Sequence, residues 1–89
     1  LSGNDATPSI SGGNHFLVNN AGATTVTDFD DWVNGQIIYL QFNNANTVIK
    51  DAAPIFLAGV TTDFSPNGND ILVLISSNGN WMEVSRSVN

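Results

Sequence analysis

The 89-residue sequence contains no cysteine, only two Lys+Arg residues, three prolines and one histidine. Without cysteine, the chain can form neither a disulfide framework nor a thiolate metal site. A chain of this length buries only about 60–65% of the surface that its unfolded state exposes, so its core alone gives marginal stability. Because small domains without disulfides or metals commonly compensate by associating, we expect this chain to be an oligomer.

The shortage of basic residues leaves a formal net charge of −6 at pH 7. Nucleic-acid backbones and anionic membrane surfaces both repel such a chain, so we expect neither as a partner. No apolar run approaches the ~20 residues of a membrane span. The sequence begins with Leu1 rather than Met, and we expect it to be an excised or processed piece of a longer protein.

Charged residues make up only 11% of the sequence, and Asn, Ser, Thr and Gly supply most of its polarity. This composition disfavours surface helices and suits strands joined by tight turns. Strand-forming residues occur in seven short runs bounded by Asn and Gly, and we therefore predict an all-β fold. The predicted strands are residues 16–18, 24–27, 36–42, 47–50, 55–57, 71–75 and 81–85.

The Gly-, Ser- and Asn-rich residues 1–14 are predicted to be a linker or an extended lead-in, followed by a single all-β domain over residues 15–89. Three stretches of that domain share one plan, in which an apolar strand end, an Asn/Ser turn and a second strand follow each other. Such repeats are typical of β-helices, where each unit stacks on its neighbours. The three are "VNNAGATTVTD" (18–28), "FNNANTVIKD" (42–51) and "ISSNGNWMEV" (75–84).

Two predicted strands carry the apolar residues expected to form the core. Alternation places Ile38, Leu40 and Phe42 on one face of the third strand. Residues 71–75 are apolar on both faces, which is typical of a strand covered on both sides. In a domain this small, coverage of both faces again indicates a partner chain.

The acidic stretch "TDFDDWVNG" (27–35) is the best candidate for a chemical site. Its carboxylates Asp28, Asp30 and Asp31 suit a solvated turn, a calcium site built from oxygen ligands, or the paired acids of a glycoside hydrolase. The spacing does not follow an EF-hand loop, and we favour the solvated turn. We therefore predict no bound metal or other cofactor.

Other chemical motifs are weak. "DFSPNGND" (63–70) has the oxygen-bearing side chains of a metal loop, but its Asn-Gly pair favours a turn. His15 has no cysteine, acid or second histidine at a ligand spacing, so we expect it to be structural or merely exposed. No phosphate-binding Gly-rich loop or nucleophile elbow is present, and we predict that the chain is not an enzyme.

Three aromatic side chains have the flat faces that stack on sugar rings. Trp32, next to Asp30 and Asp31, is the one we expect to be exposed and the candidate for carbohydrate binding. Tyr39 lies within a predicted strand. Trp81 opens the last strand, and we expect it in the core or at a subunit interface.

Four pieces of the sequence together resemble a known family. They are "TPSISGGNHFLVNNAGATTVTDF", "GQIIYLQFNNANTVIKD", "IFLAG" and the terminal "NWMEVSRS". The pattern resembles the C-terminal module that follows the pectate-lyase-like β-helix in tailspikes and tail fibres of tailed bacteriophages, and it extends from about Pro8 to Ser87. The chain departs from the family at "DAAPI" (51–55), where a Gly-rich, Asn-containing turn is usual.

The resemblance implies a β-helix-like or β-prism homotrimer, with a small β-sandwich as the alternative. It also implies a virion protein, outside the cell, whose module serves folding, trimerisation and capping of the fibre. The alternative function is a carbohydrate-binding module for bacterial surface polysaccharide in host-cell adhesion. The residues expected to be structural or to lie at the interface are Ile38, Leu40, Phe42, Leu72, Leu74, Trp81, Glu83 and Arg86. Within this set, Glu83 and Arg86 are expected to pair, within one chain or between chains.

Overall fold

The structure, a computed structural model, describes residues 1–59 and 62–89 and confirms the all-β prediction. Within these ranges there is no helix, and hence none that could cross a membrane. Each predicted strand coincides with an observed one to within two residues at either end. The strands are β1 (His15–Val18), β2 (Thr24–Val26), β3 (Ile37–Phe42), β4 (Thr47–Ile49), β5 (Ile55–Phe56), β6 (Ile71–Ser77) and β7 (Asn80–Ser87).

The seven strands form one mixed sheet and one parallel sheet. A five-stranded sheet has the order β1-β3-β6-β7-β5, and a two-stranded sheet pairs β2 with β4. The chain alternates between the sheets as it passes from β1 to β4. We call residues 9–26 the first coil and residues 30–49 the second coil.

The two coils run side by side in the same direction at three places. β1 pairs with β3 in parallel, β2 pairs with β4 in parallel, and Ser9 forms a parallel bridge with Asp30. The register aligns the first two sequence repeats, since Val18 lies beside Phe42 and Val26 beside Ile49. These two repeats are therefore stacked structural units.

The third proposed repeat has a different structure. Residues 75–84 lie in an antiparallel hairpin of β6 and β7, with Ser77 opposite Asn80. Its two central residues, Asn78 and Gly79, have φ values of 51° and 84°. Positive φ at both positions defines the tight turn that reverses a strand onto its neighbour, so this segment cannot form a coil corner. The prediction of a third stacked repeat was wrong.

The second half of the chain closes the five-stranded sheet. β6 pairs antiparallel with β3 on the side away from β1, and β5 adds in parallel to the far edge of β7. A bulge interrupts the β6–β7 ladder between Val73 and Leu74. Because β6 occupies the free edge of β3, parallel stacking in this sheet ends at the second coil.

One apolar core lies between the coils and the closing strands, and it includes the beginning of the chain. Ile10 is fully buried, and Leu1 packs against the core. The Leu1 amino group also donates to the Leu17 carbonyl at 2.6 Å. Residues near the start of the chain thus contact the same core as the strands. The buried apolar side chains are Ile10, Val18, Val26, Phe29, Ile38, Leu40, Phe42, Ile49, Ile55, Leu57, Phe64, Leu72, Leu74 and Trp81.

Candidate functional site

The acidic loop binds polar groups of its own chain. The Asp30 carboxylate accepts a hydrogen bond from the Thr7 hydroxyl at 3.2 Å, and that of Asp31 accepts one from Ser9. The Asp28 carboxylate accepts from the Phe29 amide at 2.8 Å. In residues 1–59 and 62–89, no three His, Cys, Asp or Glu side chains converge in a way that could hold a metal ion.

Trp32 is half-exposed and packs against the β6–β7 turn. The side chain is 41% exposed, and a Cβ atom added at Gly79 would lie 3.3 Å from the indole. The neighbouring Asn34 side chain accepts a hydrogen bond from the Asn78 amide at 2.9 Å. These contacts fix the loop on the hairpin and leave part of the Trp32 side chain exposed to solvent. No cleft that would enclose a ligand occurs in the part of the chain that the structure describes.

A network of asparagines links the corners of the two coils. Asn20 is 3% exposed, accepts from the Asn4 amide at 2.9 Å and donates to the Thr47 hydroxyl at 2.8 Å. The backbone carbonyl of Asn20 accepts hydrogen bonds from the side-chain amides of Asn44 (3.1 Å) and Asn46 (2.8 Å) in the second coil. Sequence reasoning found the "NNAG" and "NNAN" turns but assigned them no role in joining the coils.

Trp81 lies near the start of β7. We call the part of the five-stranded sheet that β5, β6 and β7 form the closing sheet. Trp81 is fully buried, and its ring meets Phe29 edge to face with the centroids 5.3 Å apart. Phe29 follows the first coil, so this contact ties β7 to the coil region. Within residues 1–59 and 62–89, the indole Nε1 atom has no hydrogen-bond partner. Of the two locations expected for Trp81, the core is the one in which its own chain places it.

Glu83 and Arg86 pair within one chain. The guanidinium donates twice to the carboxylate, at 2.7 and 2.8 Å, and the Ala58 amide donates to the same carboxylate at 2.9 Å. The Arg86 guanidinium also lies 4.2 Å from the centre of the Phe64 ring. The hydrogen bonds from Arg86, and then that from Ala58, lower the pKa of Glu83, while the bond to Glu83 raises the pKa of Arg86. This cluster fastens β7 to the segment after β5.

The structure places most of the predicted interface side chains inside one chain. Trp81 is completely covered by side chains and backbone of its own chain. The neighbouring strand β6 alternates, with Ile71, Val73 and Ile75 only partly covered on the opposite face. The other side chains of the set that are wholly within the core are Ile38, Leu40, Phe42, Leu72 and Leu74.

The remaining candidates have structural contacts. The exposed His15 ring lies 3.0 Å from the Gln41 side-chain oxygen. Asp63 pairs with Lys50 at 3.3 Å on the surface. Asp70, only 1% exposed, accepts from the backbone amides of Asn67 at 2.9 Å and Asn89 at 2.8 Å. These two amides lower the pKa of Asp70. Residues 67–70 form a turn, in which the Asp70 amide donates to the Asn67 carbonyl at 3.1 Å and the Asp70 carboxylate accepts from the Asn67 amide.

No protein-family model matches the chain, and no curated protein is significantly similar to it.

Proposed function

We propose that this chain is a structural C-terminal module of a bacteriophage tailspike or tail fibre, which drives trimerisation and folding of the fibre and caps its end. The observation that carries the proposal is the meeting of two architectures in one small domain. Two parallel coils extend in one direction, and an antiparallel hairpin then pairs with the last coil and ends the series.

The coils suit two turns of a β-helix. Parallel strands need a crossover connection, and in the two coils each crossover passes through a strand of the other sheet. Stacked coils of this kind contact only their neighbours and need a different terminal unit to cap them. β6 would be that unit, because it pairs with the β3 edge that another coil would otherwise extend.

The proposed setting is the virion of a tailed phage, outside the host cell. A capping module at the end of a spike that binds bacterial surface polysaccharide has no need of a reaction centre. Each carboxylate of the acidic loop accepts a hydrogen bond from a hydroxyl or an amide of its own chain, which suits a structural role for the loop.

Trimerisation is tested through the link between association and folding. If three chains fold together, the melting temperature rises with protein concentration, because mass action favours the associated state. Differential scanning calorimetry over a hundredfold range of concentration measures this. A melting temperature that is independent of concentration, with a single-chain mass, contradicts the proposal.

The second candidate function is carbohydrate binding, and the exposed face of Trp32 next to the acids Asp30 and Asp31 favours it. Aromatic faces bordered by polar groups suit sugars, and an exposed indole can stack without a deep cleft. A bacterial polysaccharide array probed with the chain and with Trp32→Ala tests this directly. Binding that the substitution abolishes would support the second candidate, and absence of binding by the parent chain would reject it.

A further inference from the structure

The outward face of the five-stranded sheet carries an uninterrupted apolar row across four strands. Met82 pairs with Ile75 on one side and with Phe56 on the other, and Ile75 pairs with Ile37. Side chains at paired positions stand on the same face of a sheet. We call these four side chains the apolar row. Phe56, Ile37 and Met82 are 48%, 42% and 40% exposed, and Ile75 is partly covered.

The neighbouring row of paired side chains on this face is apolar in its middle and polar at both ends. Tyr39 pairs with Val73, and Val73 pairs with Ser85 at the β7 end, while His15 lies beside Tyr39 at the β1 end. Beyond the apolar row, towards the hairpin turn, Ser77 and Asn80 follow. An apolar centre with a polar margin is the usual anatomy of a protein–protein interface.

Exposed apolar side chains are concentrated on this face. Five of the nine large hydrophobic side chains that the described residues expose point outward from the five-stranded sheet. They are Leu17, Ile37, Tyr39, Phe56 and Met82. Scattered apolar residues are normal on a protein surface, but a contiguous patch marks a contact site.

Among the described strand residues that point outward from this sheet, none carries a formal charge, although the chain as a whole has a net charge of −6. Glu83 and Arg86 alternate to the other side of β7, opposite the buried Leu74 and Leu72. Two copies of so acidic a chain repel each other through most of their surfaces. They can approach through this face without burying a charge, which would be costly.

These features select a second copy of the chain as the occupant. A membrane surface is disfavoured, because the face offers no Lys or Arg to anionic lipid and the rest of the chain is acidic. A strongly charged partner would find no complementary charge there. An identical uncharged sheet face meets both requirements, and around a threefold axis each of three copies can turn this face towards its two neighbours.

We propose that copies of this chain associate through the outward face of the five-stranded sheet, with the apolar row at the centre of the contact. The proposal rests on the proposed function, since it names the surface through which the trimer forms. Buried side chains such as Trp81 then stabilise each chain internally, and the apolar row joins the chains.

Met82 provides a test that needs no substitution, because it is the only methionine of the sequence. Its thioether lies in the apolar row, and oxidation of a methionine by peroxide follows its exposure. We expect the oxidation rate, followed by intact mass, to fall about tenfold or more between dilute and concentrated protein. An unchanged rate in a sample that light scattering shows to be associated overturns the proposed surface.

Charge insertion gives an independent test with a matched control. Met82→Glu and Ile37→Glu each place a carboxylate in the apolar row of every copy, whereas Thr25→Glu places the same charge on the exposed side of β2 in the other sheet. We expect the two row variants to weaken association about a hundredfold or more, because like charges would meet at the contact. The Thr25→Glu protein should associate as the parent does.

The outcomes separate the two proposals. If folded Met82→Glu and Ile37→Glu proteins, checked by circular dichroism, remain associated like the parent, the trimer stands and the proposed surface is wrong. If the parent chain is a monomer at every concentration, the trimer and the surface are both wrong. Loss of association in Thr25→Glu alone would place the contact on the two-stranded sheet instead.

Discussion

The two coils and the closing sheet contain similar Asn-rich turns, yet these turns direct the chain in different ways. At the coil corners, asparagine side chains reach the neighbouring coil, and Asn20 is bonded to both Asn4 and Thr47. At the hairpin, Asn78 and Gly79 instead adopt positive φ and reverse the strand within two residues. The same residue type thus stacks parallel coils where its side chain finds a partner in the next coil, and ends the stacking where the backbone turns sharply.

The two regions also differ in how they are stabilised. Polar bonds at the corner set the register of the coils, whereas an apolar anchor and an ion pair hold the closing sheet. A substitution in each region should therefore destabilise the fold by removing the interactions of that region. The expected losses of stability can be ranked by size.

The largest effect is expected for Trp81→Ala in the closing sheet. Truncating a fully buried tryptophan costs about 3–5 kcal/mol through lost transfer free energy and a residual cavity. Because Trp81 contacts Phe29, the loss also loosens the junction with the coils. Urea denaturation measures the free energy of unfolding. Trp32→Ala is the control and should cost much less, so the reverse order would contradict the assigned anchor.

Asn20→Ala should have the next largest effect and act on the coils. It leaves the Asn4 amide and the Thr47 hydroxyl without their partner in a site that is nearly closed to solvent. Such a loss costs about 1–3 kcal/mol. Asn43→Ala is the control, because Asn43 is exposed and precedes Asn44, the counterpart of Asn20 in the second coil. It should change the free energy of unfolding by less than about 0.5 kcal/mol. Equal effects of the two substitutions in urea denaturation would argue against the corner network.

Gly79→Ala should have a smaller effect and act on the hairpin. A side chain at a φ of 84° costs about 1–2 kcal/mol, and the added Cβ would lie 3.3 Å from Trp32. Gly3→Ala is the control, since its Cβ would have no neighbour within 4 Å. Thermal melts of both variants show the difference. A Gly79→Ala protein as stable as the parent would mean that the turn has another geometry.

The smallest effect is a dependence on acid pH through Asp70. Its pKa is lowered in the folded state by the Asn67 and Asn89 amides, from an ordinary value of 3.8. A carboxyl whose folded pKa lies below its unfolded value stabilises the fold fully above the unfolded value and loses that contribution as the pH falls through the folded one. Melting temperatures between pH 7 and pH 2 should therefore fall less steeply for Asp70→Asn than for the parent. A slope for Asp70→Asn identical to that of the parent would contradict the role of Asp70.

The strands were predictable from sequence because Asn and Gly bound each short apolar run, and so was the burial of Ile38, Leu40 and Phe42 from their alternation. The direction of the chain after each turn was not. Composition does not show whether an asparagine will bond across coils or adopt positive φ, since that depends on the segment packed against it. The proposed third repeat failed for this reason at Asn78 and Gly79.

The candidate contact was predictable only in part. The apolar character of both faces of residues 71–75 indicated coverage from outside, but the strands that lie beside β6 were needed to assemble the apolar row. Phe56 and Met82 are far from Ile37 in sequence. Only the register of the four strands places the three side chains in one row. Trp81, expected in the core or at an interface, lies on the inner side of the same sheet.

The central claim is that this domain assembles with copies of itself, and the mass of the assembly tests it most directly. Sedimentation equilibrium of the unmodified chain at micromolar concentration measures that mass without a variant or a ligand. The account predicts three times the mass of one chain, with dissociation on dilution coupled to loss of structure. A stable, folded species with the mass of one chain at every concentration would contradict it.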